Sequence, residues 1–171
     1  TVKPPVQPTI PIDTAQVTAQ LPKEESLAMP KTSDPMVVEK ETIVETDQYI
    51  ITFSNIGGAI KDIRLKNFKD QLSGDPLELV AIKNQTDYIC NLSGSGIGAN
   101  LSLSGYALTK TKDRVTYSIE IDGWEITKNY ILHNNKYGIE LQLFVKNISG
   151  TQKEFNYEII GGSGMSEQTD Q

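Results

Sequence analysis

Three consecutive runs, RVTYSIEID (Arg114 to Asp122), WEITKNYIL (Trp124 to Leu132) and YGIELQLFVKN (Tyr137 to Asn147), alternate apolar and polar side chains. In the first, Val115, Tyr117, Ile119 and Ile121 share one phase, with Thr116, Ser118 and Glu120 between them. In the second, Trp124, Ile126, Tyr130 and Leu132 stand against Glu125, Thr127 and Asn129, and in the third Ile139, Leu141, Leu143 and Val145 fall on one face. A period of two sends successive side chains to opposite faces of an extended chain, so each run buries an apolar face only as a strand in a sheet. Asp122-Gly123 between the first two runs is the dipeptide that tolerates positive φ at both positions of a tight hairpin. His133-Asn134-Asn135-Lys136 supplies a polar turn before the third. The three runs predict an antiparallel meander.

Shorter runs of the same character predict strands at 42–46, 49–54, 59–66, 77–82, 87–92, 99–103, 106–110 and 154–160. No window of a dozen residues sustains the 3.6-residue period of an amphipathic helix, and no βαβ unit appears, which excludes a nucleotide-binding parallel sheet. The fold class read from this pattern is all-β, an antiparallel β-sandwich beginning at Glu41.

Residues 1–40 differ in kind. Seven of the eight prolines lie in the first 35 residues, among Thr, Gln, Lys and Glu and with few bulky apolar side chains. Such a composition cannot offset the entropy of ordering, so the segment reads as a disordered, extended tether. No run of eighteen apolar residues is present to cross a membrane, and the first residues lack the basic and apolar regions of a signal peptide.

Few residues suggest chemistry. The net charge of −6 and pI near 4.8, with scattered Lys and Arg, argue against a nucleic-acid surface. Cys90 is the one cysteine, set in an apolar run that reads as a buried strand, where a thiol is an inert small hydrophobe. His133 is the one histidine and falls in a polar turn, so neither a multi-histidine metal site nor a Ser-His-Asp triad is supported. Acid pairs such as Glu120 with Asp122 and Glu45 with Asp47 read as solvent-facing strand positions rather than a glycosidase pair. The run GSGIG, Gly94 to Gly98, has no helix after it to bind phosphate and reads as a flexible loop. Trp124, Tyr117 and Tyr130 lie on the apolar phase of their strands, which favours core over a sugar-stacking platform. The sequence therefore predicts no catalytic, cofactor-binding or metal residue and no enzymatic activity.

One stretch remains, ITFSNIGGAIKDIRLKNF, Ile51 to Phe68, in which Gly57 and Gly58 separate two alternating segments. Paired glycines there read as a structural corner, where φ is positive or a side chain would clash.

The blocks VETDQYIITFSNIGGAIKDIRLKNFKD (Val44 to Asp70), PLELV (Pro76 to Val80) and WEITKNYILHNNKYGIELQLFVKN (Trp124 to Asn147) together resemble the periplasmic domain of the YidC membrane-protein insertase family. The first matches a strand, a Thr-Asp turn, a strand ending in Phe-Ser, a Gly-Gly corner and a third strand ending Leu-Lys-x-Phe. The last matches a Lys-x-Tyr-x-Leu strand followed by a strand closing on Val-x-Asn. Three blocks in the same order over about a hundred residues are more specific than any one of them.

The resemblance implies a β-supersandwich similar to galactose mutarotases. It implies a non-catalytic domain on the periplasmic face of a Gram-negative inner membrane, joined by its linker to a transmembrane helix in the full-length protein. Implied partners are nascent inner-membrane proteins and auxiliary subunits of the Sec translocon. The family's insertase core of five transmembrane helices has no counterpart here, so no insertase residue carries over. Family members continue with further strands, so the chain corresponds to part of the domain, with an unpaired sheet edge and marginal stability or self-association as the expected consequence. The alternative function on the same fold is a carbohydrate-binding or mutarotase-like module, for which His133 is a poor acid-base candidate.

Overall fold

A computed structural model describes residues 37–97 and 99–162 of the 171. Strands β1 (Glu41–Glu45), β2 (Tyr49–Ser54), β3 (Ala59–Lys69) and β4 (Pro76–Ala81) form one antiparallel sheet in that order. After β5 (Leu92–Ser95), strands β6 (Ala107–Lys110), β7 (Arg114–Ile121), β8 (Trp124–Leu132) and β9 (Ile139–Asn147) form a second, and β10 (Asn156–Ile159) returns to pair with β5.

The two four-stranded sheets bury their apolar phases against each other. Val44, Tyr49, Ile51 and Phe53 come from the first sheet, and Val115, Tyr117, Trp124, Ile126, Tyr130 and Leu132 from the second. Phe53 meets Tyr130 with ring centroids 4.9 Å apart and Tyr117 at 6.3 Å, which ties the sheets through aromatic contacts. Rings buried this fully each contribute about 1.5–3 kcal/mol of hydrophobic stabilisation, so this aromatic layer is a main source of cohesion. The fold is the expected antiparallel β-sandwich.

The β7–β8–β9 meander follows the predicted pattern. Ile121 pairs with Trp124 across a two-residue turn in which Asp122 has φ 49° and Gly123 φ 79°, the left-handed pair that the Asp-Gly signal called for. The β8–β9 register runs unbroken from Trp124↔Asn147 to Leu132↔Ile139.

Three predicted elements differ. The expected strand 87–92 is instead a short 3₁₀ turn, Gln85–Asp87, whose N-cap Asn84 accepts from the Thr86 N–H, followed by a bend at Cys90 with φ 64°. Local capping and a left-handed residue there override the apolar run. The expected strand 99–103 is a turn in which the Asn100 side chain accepts from the Ser102 N–H at 3.1 Å and the Asn100 carbonyl from Leu103 N–H at 3.2 Å. Part of the expected loop 94–98 is strand, because Gly94 and Ser95 pair with Tyr157 and Asn156.

The expected tether lies outside the described residues except for Val37–Lys40, which are held in place. Asn55 N–H donates to the Lys40 carbonyl at 3.1 Å, and Lys40 N–H donates to Asn55 Oδ1 at 2.6 Å. Glu39 accepts from Ser54 Oγ at 2.7 Å and from Tyr88 Oη at 2.9 Å. Val37–Lys40, expected as part of the tether, are thus hydrogen-bonded to the domain that was expected to begin at Glu41.

Candidate functional site

Along β8 the burial pattern alternates strictly, and the inward phase is Trp124, Ile126, Lys128, Tyr130, Leu132. Lys128 is 0% exposed. Its Nζ donates to the carbonyl oxygens of Gly57 and Cys90, each at 2.6 Å, and lies 5.3 Å from the centroid of the Tyr106 ring. Two residues on, Tyr130 Oη donates to the Gly58 carbonyl at 2.7 Å. Both side chains come from one face of β8 because residues two apart on a strand point the same way.

The carbonyls that accept from Lys128 and Tyr130 belong to residues with left-handed backbones. Gly57 has φ +67°, Gly58 φ +54° and Cys90 φ 64°. A Cβ at Gly58 would lie 2.7 Å from Tyr117 Cβ, and one at Gly57 would overlap the Asn91 side-chain amide. Asn91 is itself fully buried, donating to the carbonyls of Gln85 at 3.0 Å and Ser102 at 3.2 Å. The node joins β8, the turn after β2 and the connection before β5.

Burial pushes the Lys128 ammonium down to about 7, the neighbouring Cys90 thiol opposing that shift. A neutral amine has two N–H groups for the two carbonyls; the ammonium's third N–H has the Tyr106 ring beside it, a cation–π arrangement. Burial also raises the Cys90 thiol, with Lys128 pulling it back. Cys90 is half-buried, at a bend rather than in the strand expected for it, and its backbone carbonyl is the atom that matters here.

A second polar feature lies on the outer face of the first sheet. Between Thr52↔Asp62 and Phe53↔Ile60 the β2–β3 register shifts, leaving Lys61 as an extra residue in a β-bulge. Around it a shallow cleft of about 210 Å³ is lined by Glu41, Thr52, Lys61, Asp62, Arg64, Ala81, Ile82 and Lys83. Lys61 bonds Glu41 and stands 3.6 Å from Glu39, while Arg64 reaches Asp62 at 3.3 Å and Glu78 at 3.4 Å. Partial burial, with Glu78 close by, raises the Asp62 carboxyl against the pull of Arg64. Burial raises Glu39 too, but hydrogen bonds from Ser54, Tyr88 and Gln85 and the Lys61 charge outweigh it, leaving the carboxyl below its ordinary value. The cleft presents both signs of charge, with Lys61 and Arg64 paired to acids.

The other residues singled out from the sequence lie apart from these features. Trp124 is 6% exposed, in the core and against Phe155 at 5.4 Å, so its ring offers no open platform. His133 is half-buried, and its backbone N–H and carbonyl meet Tyr49 Oη at 3.3 and 3.4 Å. Gly94 and Ser95 belong to β5, and Gly98 is outside the described residues. No three His, Cys, Asp or Glu side chains among the described residues form a group able to hold a metal, and no helix there is long and apolar enough to cross a membrane. Lys128 carries a sequence signal of its own, a lysine in phase with Ile126 and Tyr130.

Residues 41–164 match the family described as YidC periplasmic domain. The chain belongs to that family. A membrane protein insertase YidC from Syntrophus aciditrophicus (strain SB) is 28% identical over 165 residues, covering 84% of this chain and 30% of the relative. Another from Geobacter sulfurreducens (strain ATCC 51573 / DSM 12127 / PCA) is 30% identical over 113 residues, covering 60% of this chain and 21% of the relative. The chain thus spans less than a third of the length of these YidC relatives. Within the YidC domain, the Gly-Gly turn and the Lys-x-Tyr strand that carried the sequence resemblance are the two parts that meet at Lys128 and Tyr130.

Proposed function

We propose that this chain is a non-catalytic periplasmic domain of a YidC-type insertase, anchored to the inner membrane in the full-length protein. It assists insertion and folding of inner-membrane proteins by contacting nascent segments or auxiliary Sec subunits. The observation that supports this is the family match over residues 41–164, with insertases of that name as relatives. In this reading Gly57 and Gly58 serve as a structural corner, and the Lys128 node holds the two sheets in register.

The bulged cleft on the outer face of β1–β4 is the contact surface we assign to partners. Its paired charges suit brief polar contacts with many segments better than tight binding of one ligand, since paired exposed charges add little affinity and tune encounter and specificity. A photo-crosslinking residue at Thr52 or Lys83 in the membrane-tethered full-length protein is expected to capture nascent chains or Sec subunits. Absence of any partner contact that depends on residues 41–164 would refute the proposal.

A further inference from the structure

β9 ends the second sheet, and no described residue pairs with its outer edge. It is nine residues long, with neither proline nor bulge, and its inward row of Ile139, Leu141, Leu143 and Val145 is only half-buried. Long, flat edges with no inward charge are the ones that recruit another strand. The other free edges are poorer templates. β1 has Lys110 Nζ on the Ile43 carbonyl, β4 begins with Pro76 and breaks register twice against β3, and β5, β6 and β10 have four residues each.

The sequence of β9 is complementary to itself. Laid antiparallel on a second copy about a two-fold axis at Leu143, Glu140 falls opposite Lys146, Leu141 opposite Val145, Gln142 opposite Phe144, and Leu143 opposite Leu143. A shift of two residues either way loses both charge pairs and sets Glu140 against Phe144 or Ile148. Opposite charges directly across a ladder stabilise it and like charges destabilise it, so one register is selected. That register also continues the half-buried apolar row into the partner's, and it leaves the 54%-exposed Phe144 ring beside Gln142.

We propose that β9 is a self-recognition edge through which two copies of this domain pair antiparallel, joining their second sheets into one eight-stranded sheet. This inference does not depend on the partner contacts assigned to the cleft. Such an isologous contact closes on itself and stops at two.

The test is sedimentation of the 171-residue chain across a wide concentration range at physiological salt, where the mass should climb from 18.9 kDa towards twice that value. Glu140→Lys places lysines opposite Lys146 at both ends of the contact and should weaken the dimer roughly tenfold, from the size of cross-strand charge pairs. Adding Lys146→Glu should restore it, with circular dichroism confirming that each variant is folded. Amide exchange should show β9 protection that rises with protein concentration. A monomer at every concentration, a dimer indifferent to Glu140→Lys, or β9 protection independent of concentration, which means the edge is covered by the chain itself, would each overturn the proposal.

Discussion

Lys128 Nζ lies 2.6 Å from the carbonyl oxygen of Gly57, a residue 71 positions earlier in the chain. The same amine bonds Cys90, 38 positions earlier. A buried lysine without a carboxylate partner is costly to ionise, and its persistence depends on acceptors that the fold brings to it. Two left-handed turns supply them.

Lys128→Ala should therefore lose on the order of 2–5 kcal/mol, combining the cavity left by a long buried side chain with two buried carbonyls deprived of donors. Lys128→Met keeps the volume, removes the charge and leaves the carbonyls unpaired, so it should cost clearly less than Lys128→Ala. Urea denaturation of the three proteins checks the order. Identical midpoints for wild type and Lys128→Ala would mean that the node does not hold the sheets.

Stability should also depend on pH through this residue. The Lys128 amine titrates at about 7 in the folded state and at 10.5 when unfolded. Between those values the unfolded chain binds more protons, so unfolding free energy rises with pH and falls back as pH drops towards 7, where the dependence levels off. The limit for one site is about 1.4 kcal/mol per pH unit, moderated here because the two carbonyls favour the ammonium. The window of about pH 7 to 8 isolates the effect. The Cys90 thiol, raised by burial from 9.0, and the raised tyrosines act in the opposite sense only above it, and the raised Lys61 loses its contribution only at still higher pH. Denaturant melts at half-unit steps should show the rise in wild type and a flat line in Lys128→Met. A flat wild-type profile would contradict a buried, titrating Lys128.

Gly58→Val should cost about 1–3 kcal/mol or more, from backbone strain at φ +54° and the approach of the new Cβ to Tyr117. The aromatic layer formed by Tyr117, Tyr130 and Phe53 leaves that ring little room to retreat. Calorimetry on the variant decides it; an unchanged melting temperature would show that the turn can be rebuilt without glycine.

How much of this was legible in the sequence depended on how locally each element is specified. The β7–β9 meander was readable because period-two patterning and Asp122-Gly123 lie within single short windows. Residues 87–92 were not, because their conformation depends on the Asn84 cap, the left-handed Cys90 and hydrogen bonds to Ile160, about seventy residues away. The Gly57-Gly58 corner was visible as a place where glycine is needed. That its carbonyls meet Lys128 and Tyr130 was hidden, since a lysine in an apolar phase reads as an interruption until its acceptors are known. The bulge at Lys61 was equally hidden, because an extra residue in one strand shows only against its partner.

The segment before β1 carries the last prediction. Glu39 gathers Ser54, Tyr88, Gln85 and Lys61, three hydrogen bonds and an ion pair 3.6 Å long, so it clasps Val37–Lys40 to the sheet. Glu39→Gln keeps the shape but replaces a charged acceptor with a neutral amide, which weakens each of these bonds. Global stability should change by about 1 kcal/mol at most, because the site is partly exposed. The local effect should be larger, since end segments open independently of the core. Limited proteolysis is expected to cut the variant within residues 37–41 faster than wild type, with the rest of the domain resisting equally in both. Acid should imitate the substitution: the Glu39 carboxyl lies below its usual value when folded, so the clasp holds above that range and loosens as pH falls through it. Equal cutting rates in the two proteins at neutral pH would show that Val37–Lys40 are held by the Asn55 contacts alone.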